Sequence, residues 1–330
     1  MTLEDFLKEW YAPEDVLLVH TSGSTGKPKP MYVEKQKMLN SARITCNFLG
    51  LQKGDRALLC MPLDYIAGKM VVVRSIERKL QLISVRPSGH PLASLSEEDQ
   101  EKPIDFAAMV PMQVYNSLQV DEERAKLREI RHLIIGGGAI DDALQAELSD
   151  FPNAVWSTYG MTETLSHIAL RRLNGSEASN WYRPFESVHV RTNADGCLVI
   201  DAPQVHAGEL ETHDRVELRT CDGHTEFRIL GRIDNVIDSG GIKIQIEEVE
   251  SKLAPHLVQP YIITKKTDGK FGEIVVLLTE DTDIEHVKTV CEAVLPKYWQ
   301  PRLYRHIHKV PLTETGKPAR GEALRFVKGL

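Results

Sequence analysis

Cysteine is scarce and unpatterned: five in 330 residues (Cys46, Cys60, Cys197, Cys221 and Cys291), with no CxxC pair. That argues against a disulfide framework or a thiolate metal site and reads as buried free thiols in a reducing cytoplasm. His20, His167 and His213 show no ligand spacing either, so a structural zinc is not expected. A basic excess is also missing. Lys plus Arg is 40 against 47 Asp plus Glu, a net charge of −7, which argues against a broad nucleic-acid surface. No apolar run approaches the roughly 18–20 residues of a membrane helix. The first residues, MTLEDFLKEWYAPED, are acidic and amphipathic, unlike a signal peptide. Neither nucleic acid nor membrane is an expected partner. What remains is an ordinary globular composition, 42% hydrophobic and 26% charged. At roughly 150 residues per domain, the length suggests about two domains.

The chain changes character along its length. Residues 34–49 and 66–79 read as helices, as does 141–150. Residues 56–63 (RALLCMPL), 80–86, 105–110, 132–135 and 154–158 read as short buried strands. That alternation predicts βαβ units and a mostly parallel sheet. After about residue 186 the runs 187–191, 197–201, 209–212, 215–219 and 226–230 are short and turn-punctuated. NADG (193–196) and CDG (221–223) are hairpin turns, so this is an antiparallel β region. From 233 a third pattern begins: helices at 246–254, 284–295 and 320–330, strands at 259–265, 273–279 and 304–310. The predicted fold class is therefore α/β. A large N-terminal domain, residues 1–232, is followed by a small α+β domain, residues 233–330.

Residues 21–29 read TSGSTGKPK after the apolar 16–19. Two glycines, four hydroxyls and two lysines in nine residues suit phosphate oxygens. A solvated Ser/Gly turn would explain the polarity but not that combination. It is not a Walker A loop: Thr21 stands where the first glycine belongs, and Pro28 follows Lys27.

TSGSTGKPK resembles the signature loop of the adenylate-forming superfamily, which includes acyl-CoA synthetases, aryl-CoA ligases and peptide-synthetase adenylation domains. Further motifs follow in that family's order, from residue 17 to 320. GGGAI (136–140) resembles the glycine-rich turn beside the acyl and adenine pockets. YGMTET (159–164) resembles the motif whose aromatic packs on adenine. Asp214, in ETHDRVEL, resembles the ribose-binding aspartate. GRIDNVIDSGGIKIQIEEVE (231–250) resembles the hinge motif, and PLTETGKPAR (311–320) the motif of the catalytic lysine. The resemblance implies ATP, Mg²⁺ and coenzyme A, with a carboxylic acid as the small-molecule substrate. It assigns nucleotide contacts to Thr21, Ser22, Gly23, Ser24, Thr25, Gly26, Lys27, Gly137, Gly138, Ala139, Tyr159, Gly160, Met161, Asp214 and Arg232. Thr162 would lie near the α-phosphate, Glu163 would hold the metal, and Lys317 would be catalytic. Asp234 matches the hinge position of a mobile C-terminal domain, and Gly240 and Gly241 would pass close to the thiol-bearing arm. The chemistry agrees, since negative charge grows on phosphoryl oxygens during carboxylate activation and cations stabilise it.

Plainer readings stand beside these. Tyr159 also reads as a core aromatic, although a strand end is where α/β sheets bind ligands. Glu163 reads as a helix-start carboxylate. Asp214 could pair with a neighbouring arginine, and His213 replaces the family's usual preceding glycine. Lys317 reads alone as a surface lysine, and Gly240–Gly241 as a simple turn. The family has well over a hundred residues before the phosphate loop, against 20 here. A compact member is expected, with a homodimer partner over surface left open by the shortening.

The acyl site leaves two substrates in play. In DYIAGKM (64–70), Asp64 and Met70 match the spacing of amino-acid-activating domains, where the aspartate binds an ammonium. Lys69, in the same segment, suits a second carboxylate. MVPMQVYNSL (109–118) and SGGIKI (239–244) resemble the o-succinylbenzoate-CoA ligases of menaquinone synthesis. That acid-thiol ligase is the primary expectation. The alternatives are an amino-acid adenylating enzyme loading a separate carrier protein, and a nucleotide-binding protein that has lost catalysis.

Overall fold

The computed structural model describes residues 1–20, 30–313 and 317–328. Helix α1 (Leu3–Tyr11) opens the chain with a reciprocal cap, Thr2 with Asp5, and buries Phe6 and Trp10. A hairpin follows, β1 (Val16–His20) and β2 (Pro30–Glu34), in register from Val16 opposite Glu34 to His20 opposite Pro30. It buries Leu17, Val19 and Val33 and leaves Val16, Leu18 and Tyr32 exposed. Residues 21–29, the loop assigned to phosphate, lie outside the described residues.

The sheet that carries the site alternates with helices in the expected way. In chain order the elements are α2 (Lys35–Phe48), β3 (Arg56–Leu59), α3 (Ile66–Arg78), β4 (Gln81–Ser84), α4 (Glu97–Glu101), β5 (Phe106–Met109), α5 (Pro111–Leu118), α6 (Asp121–Glu129), β6 (His132–Ile135), α7 (Asp142–Leu148), β7 (Ala154–Gly160), β8 (His167–Arg172) and β9 (Arg183–Pro184). Spatial order is β4-β3-β5-β6-β7-β8-β9. The first five run parallel and are largely apolar, as a sheet covered on both faces requires. Strand β8 then turns back antiparallel on β7. Residues 161–166 are a turn between those strands, which corrects the helix-start reading of Glu163.

A four-stranded antiparallel sheet comes next: β10 (His189–Thr192), β11 (Cys197–Asp201), β12 (Glu209–Cys221) and β13 (His224–Arg232). The two strands expected at 209–212 and 215–219 are one continuous strand, β12. Its polar centre is tolerated because only Thr212 and Val216 are fully buried along it. An antiparallel bridge between Tyr182 and Phe227 joins this sheet to the last.

The C-terminal part begins with β14 (Val236–Ser239), β15 (Ile242–Gln245) and α8 (Ile246–Leu253). It continues through β16 (Tyr261–Asp268), β17 (Gly272–Thr279), α9 (Ile284–Val294), β18 (Leu303–His306) and α10 (Arg320–Lys328). Gly240 and Gly241 form the β14–β15 turn with φ of +62° and +81°, the left-handed backbone of a tight hairpin. One buried cluster runs from Phe6 to Phe227; two others begin only at Ile237 and Ile262. Full burial of each large apolar side chain contributes roughly 1.5–3 kcal/mol, so both regions hold substantial cores.

Candidate active site

The carboxyl ends of the parallel strands open into a cavity of about 480 Å³. Met61 and Pro62 line it beyond β3, Met109 and Val110 at β5, Gly136 and Gly137 beyond β6, and Gly160 to Thr162 at the end of β7. In open α/β sheets the crevice outside the carboxyl ends of the strands is where ligands generally bind. Two glycines are required by close approach. A Cβ on Gly160 would lie 2.3 Å from the Ser166 carbonyl oxygen and 2.4 Å from the His167 Cα. A Cβ on Gly136 would lie 2.2 Å from Thr158 Oγ1. Lys317 lines the same cavity from the C-terminal part of the chain. Burial pushes its ammonium below the usual lysine value; nearby Asp214 opposes that shift and Arg232 adds to it.

The backbone of Lys317 is held tightly. Its amide donates to Thr313 Oγ1 at 3.0 Å, its carbonyl accepts from the Thr313 amide at 2.7 Å, and Leu312 bridges Pro318.

The cavity's other cation was not singled out from the sequence. Arg74, on α3, is only 2% exposed and lines the cavity. Its Nη2 donates to Ser166 Oγ at 2.5 Å and to Thr45 Oγ1 at 3.4 Å, and its buried Nε has no partner among the described residues. Burial pulls this guanidinium down to about 10, so it remains charged at neutral pH. It has no carboxylate partner among the described residues. His167 packs beside it, with Nε2 3.1 Å from Thr45 Oγ1 and Nδ1 3.3 Å from Ser166 Oγ. Burial, then the Arg74 charge, keep that imidazole well below its ordinary pKa, hence neutral. The sequence signal for Arg74 was a single arginine inside an apolar helical run, MVVVRS. Gln113, bonded to the Cys60 and Ser88 carbonyls, and Thr158 also line the cavity and were not foreseen.

Nearby, Asp214 and Arg232 face each other across β12 and β13. Asp214 Oδ2 accepts from the Tyr159 hydroxyl at 2.7 Å, and Oδ1 from Arg232 Nη1 at 3.3 Å. Tyr159 is buried against Phe227 and Tyr182, and burial, then Asp214, raise its pKa, so it stays a neutral donor. Arg232 Nη2 reaches Asp234 Oδ2 at 2.9 Å, and His213 Nδ1 meets the same oxygen at 2.8 Å. Burial opposes ionisation of Asp234, but those two contacts hold it below the usual carboxylate range.

Of the expected site residues, Gly137, Gly160, Met161, Thr162 and Lys317 line the cavity together. Gly138 and Ala139 sit exposed in the turn before α7. Tyr159, Glu163, Asp214 and Arg232 lie outside the lining, and Gly240 and Gly241 lie at the β14–β15 turn. The acyl-site assignments need correction. Lys69 is 2% exposed and turned away from the cavity, with Nζ 3.2 Å from Met1 Sδ and 5.2 Å from the Phe6 ring centroid. Around α3, Ile66, Ala67 and Arg74 share the cavity face, and the helical period carries Lys69 onto α1 instead. The Asp64 side chain is 65% exposed and pairs with the Met1 amino group at 3.1 Å. Among the described residues no group of three or more His, Cys, Asp or Glu forms a ready metal cage. Glu163 is half-buried beside Thr162 with no hydrogen bond to another described residue. One free carboxylate suits Mg²⁺, which typically takes one or two protein carboxylates plus substrate phosphates.

Comparison with known proteins follows the same line. The family described as AMP-binding enzyme matches residues 4–210. The 2-succinylbenzoate–CoA ligase of Bacillus cytotoxicus is 25% identical, the match covering 97% of this chain and 72% of that protein. The crystal structure of an acyl-CoA synthetase (AMP-forming)/AMP-acid ligase II-like protein from Dyadobacter fermentans is 32% identical with a TM-score of 0.64. That match covers 98% of this chain and 93% of the other. An o-succinylbenzoate coenzyme A synthetase from Bacillus subtilis, in complex with ATP and magnesium ion, shares the fold with a TM-score of 0.76 at 22% identity, covering 92% and 69%. No helix among the described residues is long and apolar enough to cross a membrane. The ordered motifs, the cavity at the strand ends and the match over residues 4–210 agree, and the chain belongs to the AMP-binding enzyme family.

Proposed function

We propose that this protein is an AMP-forming acid–CoA ligase whose acid is o-succinylbenzoate. Arg74 carries the substrate reading. A buried guanidinium without a carboxylate partner among the described residues, at the wall of a mainly apolar cavity, fits an aromatic acid that keeps one carboxylate after the other is activated. The names of the Bacillus relatives support the same acid. The amino-acid reading is disfavoured, since no Asp or Glu is among the described residues that line the cavity and Asp64 faces solvent.

The chemistry runs in two displacements, the first at the α-phosphorus and the second at the acyl carbon. A substrate carboxylate oxygen attacks the α-phosphorus of ATP, forming the acyl-adenylate and expelling pyrophosphate. The Lys317 ammonium and the Thr162 hydroxyl stabilise charge at the phosphoryl oxygens. Asp214, held by Tyr159 and Arg232, accepts the ribose hydroxyls. Glu163 would hold Mg²⁺, which supplies charge neutralisation on the phosphates when bound. The CoA thiol then attacks the carbonyl carbon and AMP leaves. Residues 233–330 turn about Asp234 between the halves, bringing the Gly240–Gly241 turn towards the thiol. Retention of Lys317 in the cavity argues against a protein that has lost catalysis.

The test is pyrophosphate release against a panel of carboxylic acids, with and without CoA. Release with o-succinylbenzoate, followed by CoA-dependent thioester, is expected. Turnover of amino acids with none of o-succinylbenzoate would overturn the substrate assignment.

A further inference from the structure

Two sequence motifs end on residues that meet. Glu250 closes the segment 231–250, and Arg320 closes the segment 311–320. Arg320 Nη2 donates to Glu250 Oε2 at 2.7 Å and Nη1 to Oε1 at 3.0 Å, a two-pronged ion pair across 70 residues of sequence. Arg320 Nη1 also reaches the Ile263 carbonyl at 3.2 Å, and Glu250 Oε1 accepts the Ile263 amide at 3.0 Å. The middle of α8, the start of β16 and the first residue of α10 are thereby tied at a single point. Arg320 is three residues beyond Lys317 and donates its amide to the Pro318 carbonyl at 3.0 Å. The preceding side of the Lys317 loop is fastened separately, by Thr313 and by the Ala319 amide on the Pro311 carbonyl at 2.9 Å. Behind Arg320, Ala323 and Val327 of α10 are buried with Ile262 and Val276. The helix is thus anchored apart from the ion pair.

We propose that Arg320, clamped by Glu250, is a positioning residue that sets where the Lys317 ammonium enters the cavity. Planar two-pronged pairing fixes direction as well as distance, which a single point charge does not. Neither side chain lines the cavity, so the effect reaches the reaction only through Lys317. The inference rests on the proposed role of Lys317 in adenylate formation.

The experiment measures both half-reactions in Arg320→Ala, Arg320→Lys and Glu250→Gln, with Lys317→Ala as reference. Rates are normalised to the folded fraction from thermal melts. Arg320→Ala should lower the turnover rate of adenylate formation about 10-fold with the ATP KM within twofold, a small misplacement being enough for that loss. Thioester formation from preformed o-succinylbenzoyl-adenylate should stay within twofold. Glu250→Gln should follow the same pattern more mildly, and Arg320→Lys should recover part of the rate. Equal losses in both half-reactions, or no loss after normalisation, would overturn the positioning role. If Lys317→Ala itself leaves adenylate formation intact, the assigned role of Lys317 fails instead.

Discussion

Arg74 and Lys317 are the only lysine or arginine side chains among the described residues that line the cavity, and they sit there for different purposes. Arg74 faces an anion that persists through the reaction, so its removal should act on affinity. Arg74→Met keeps side-chain volume and leaves a substrate carboxylate unpaired in a buried site. Losing one partner of such a pair costs roughly 2–5 kcal/mol, or about 30-fold or more in the KM for o-succinylbenzoate. An analogue with an apolar group in place of the second carboxylate should be affected far less. An equal rise for both acids would remove Arg74 from substrate recognition. Lys317 acts on charge that develops in the transition state. Its ammonium is the active form, so adenylate formation should persist below its pKa and fall as pH rises through it. Burial lowers that pKa, so the basic limb should lie below the usual lysine range. Lys317→Arg should carry the limb beyond the measurable range. A limb that stays in place in that variant would assign it to another group.

At the scale of elements, the legible parts were those with local causes. Short apolar runs between amphipathic helices announced the parallel sheet, and the NADG and CDG turns announced the antiparallel one. Two features were not legible because tertiary contacts decide them. The MTET segment matches a helix start locally, yet β8 pairs back on β7 and turns it into a hairpin. Helix α3 has Met70, Val71, Val72 and Val73 all buried, so no apolar stripe shows which way Lys69 and Arg74 point. The tight turn after β7 gives a stability prediction. Gly160→Ala would drive a methyl into the Ser166 and His167 backbone, which cannot swing aside as a side chain can. Overpacking of that kind typically costs about 1–3 kcal/mol. The melting temperature should fall by several degrees, and an unchanged melt would mean that the β7–β8 turn is looser than described.

For the whole molecule, one carboxyl group reacts twice, first as the nucleophile towards phosphorus and then, as an acyl-adenylate, as the electrophile towards sulfur. Oxygen bookkeeping follows from that order. The carboxylate oxygen that bonds to the α-phosphorus stays there when the thiol breaks the acyl–oxygen bond. o-Succinylbenzoate labelled with ¹⁸O at the reacting carboxylate, incubated with ATP and CoA, should therefore yield AMP carrying one ¹⁸O and a thioester retaining the other. Unlabelled AMP, or label appearing in inorganic phosphate beside ADP, would contradict the account.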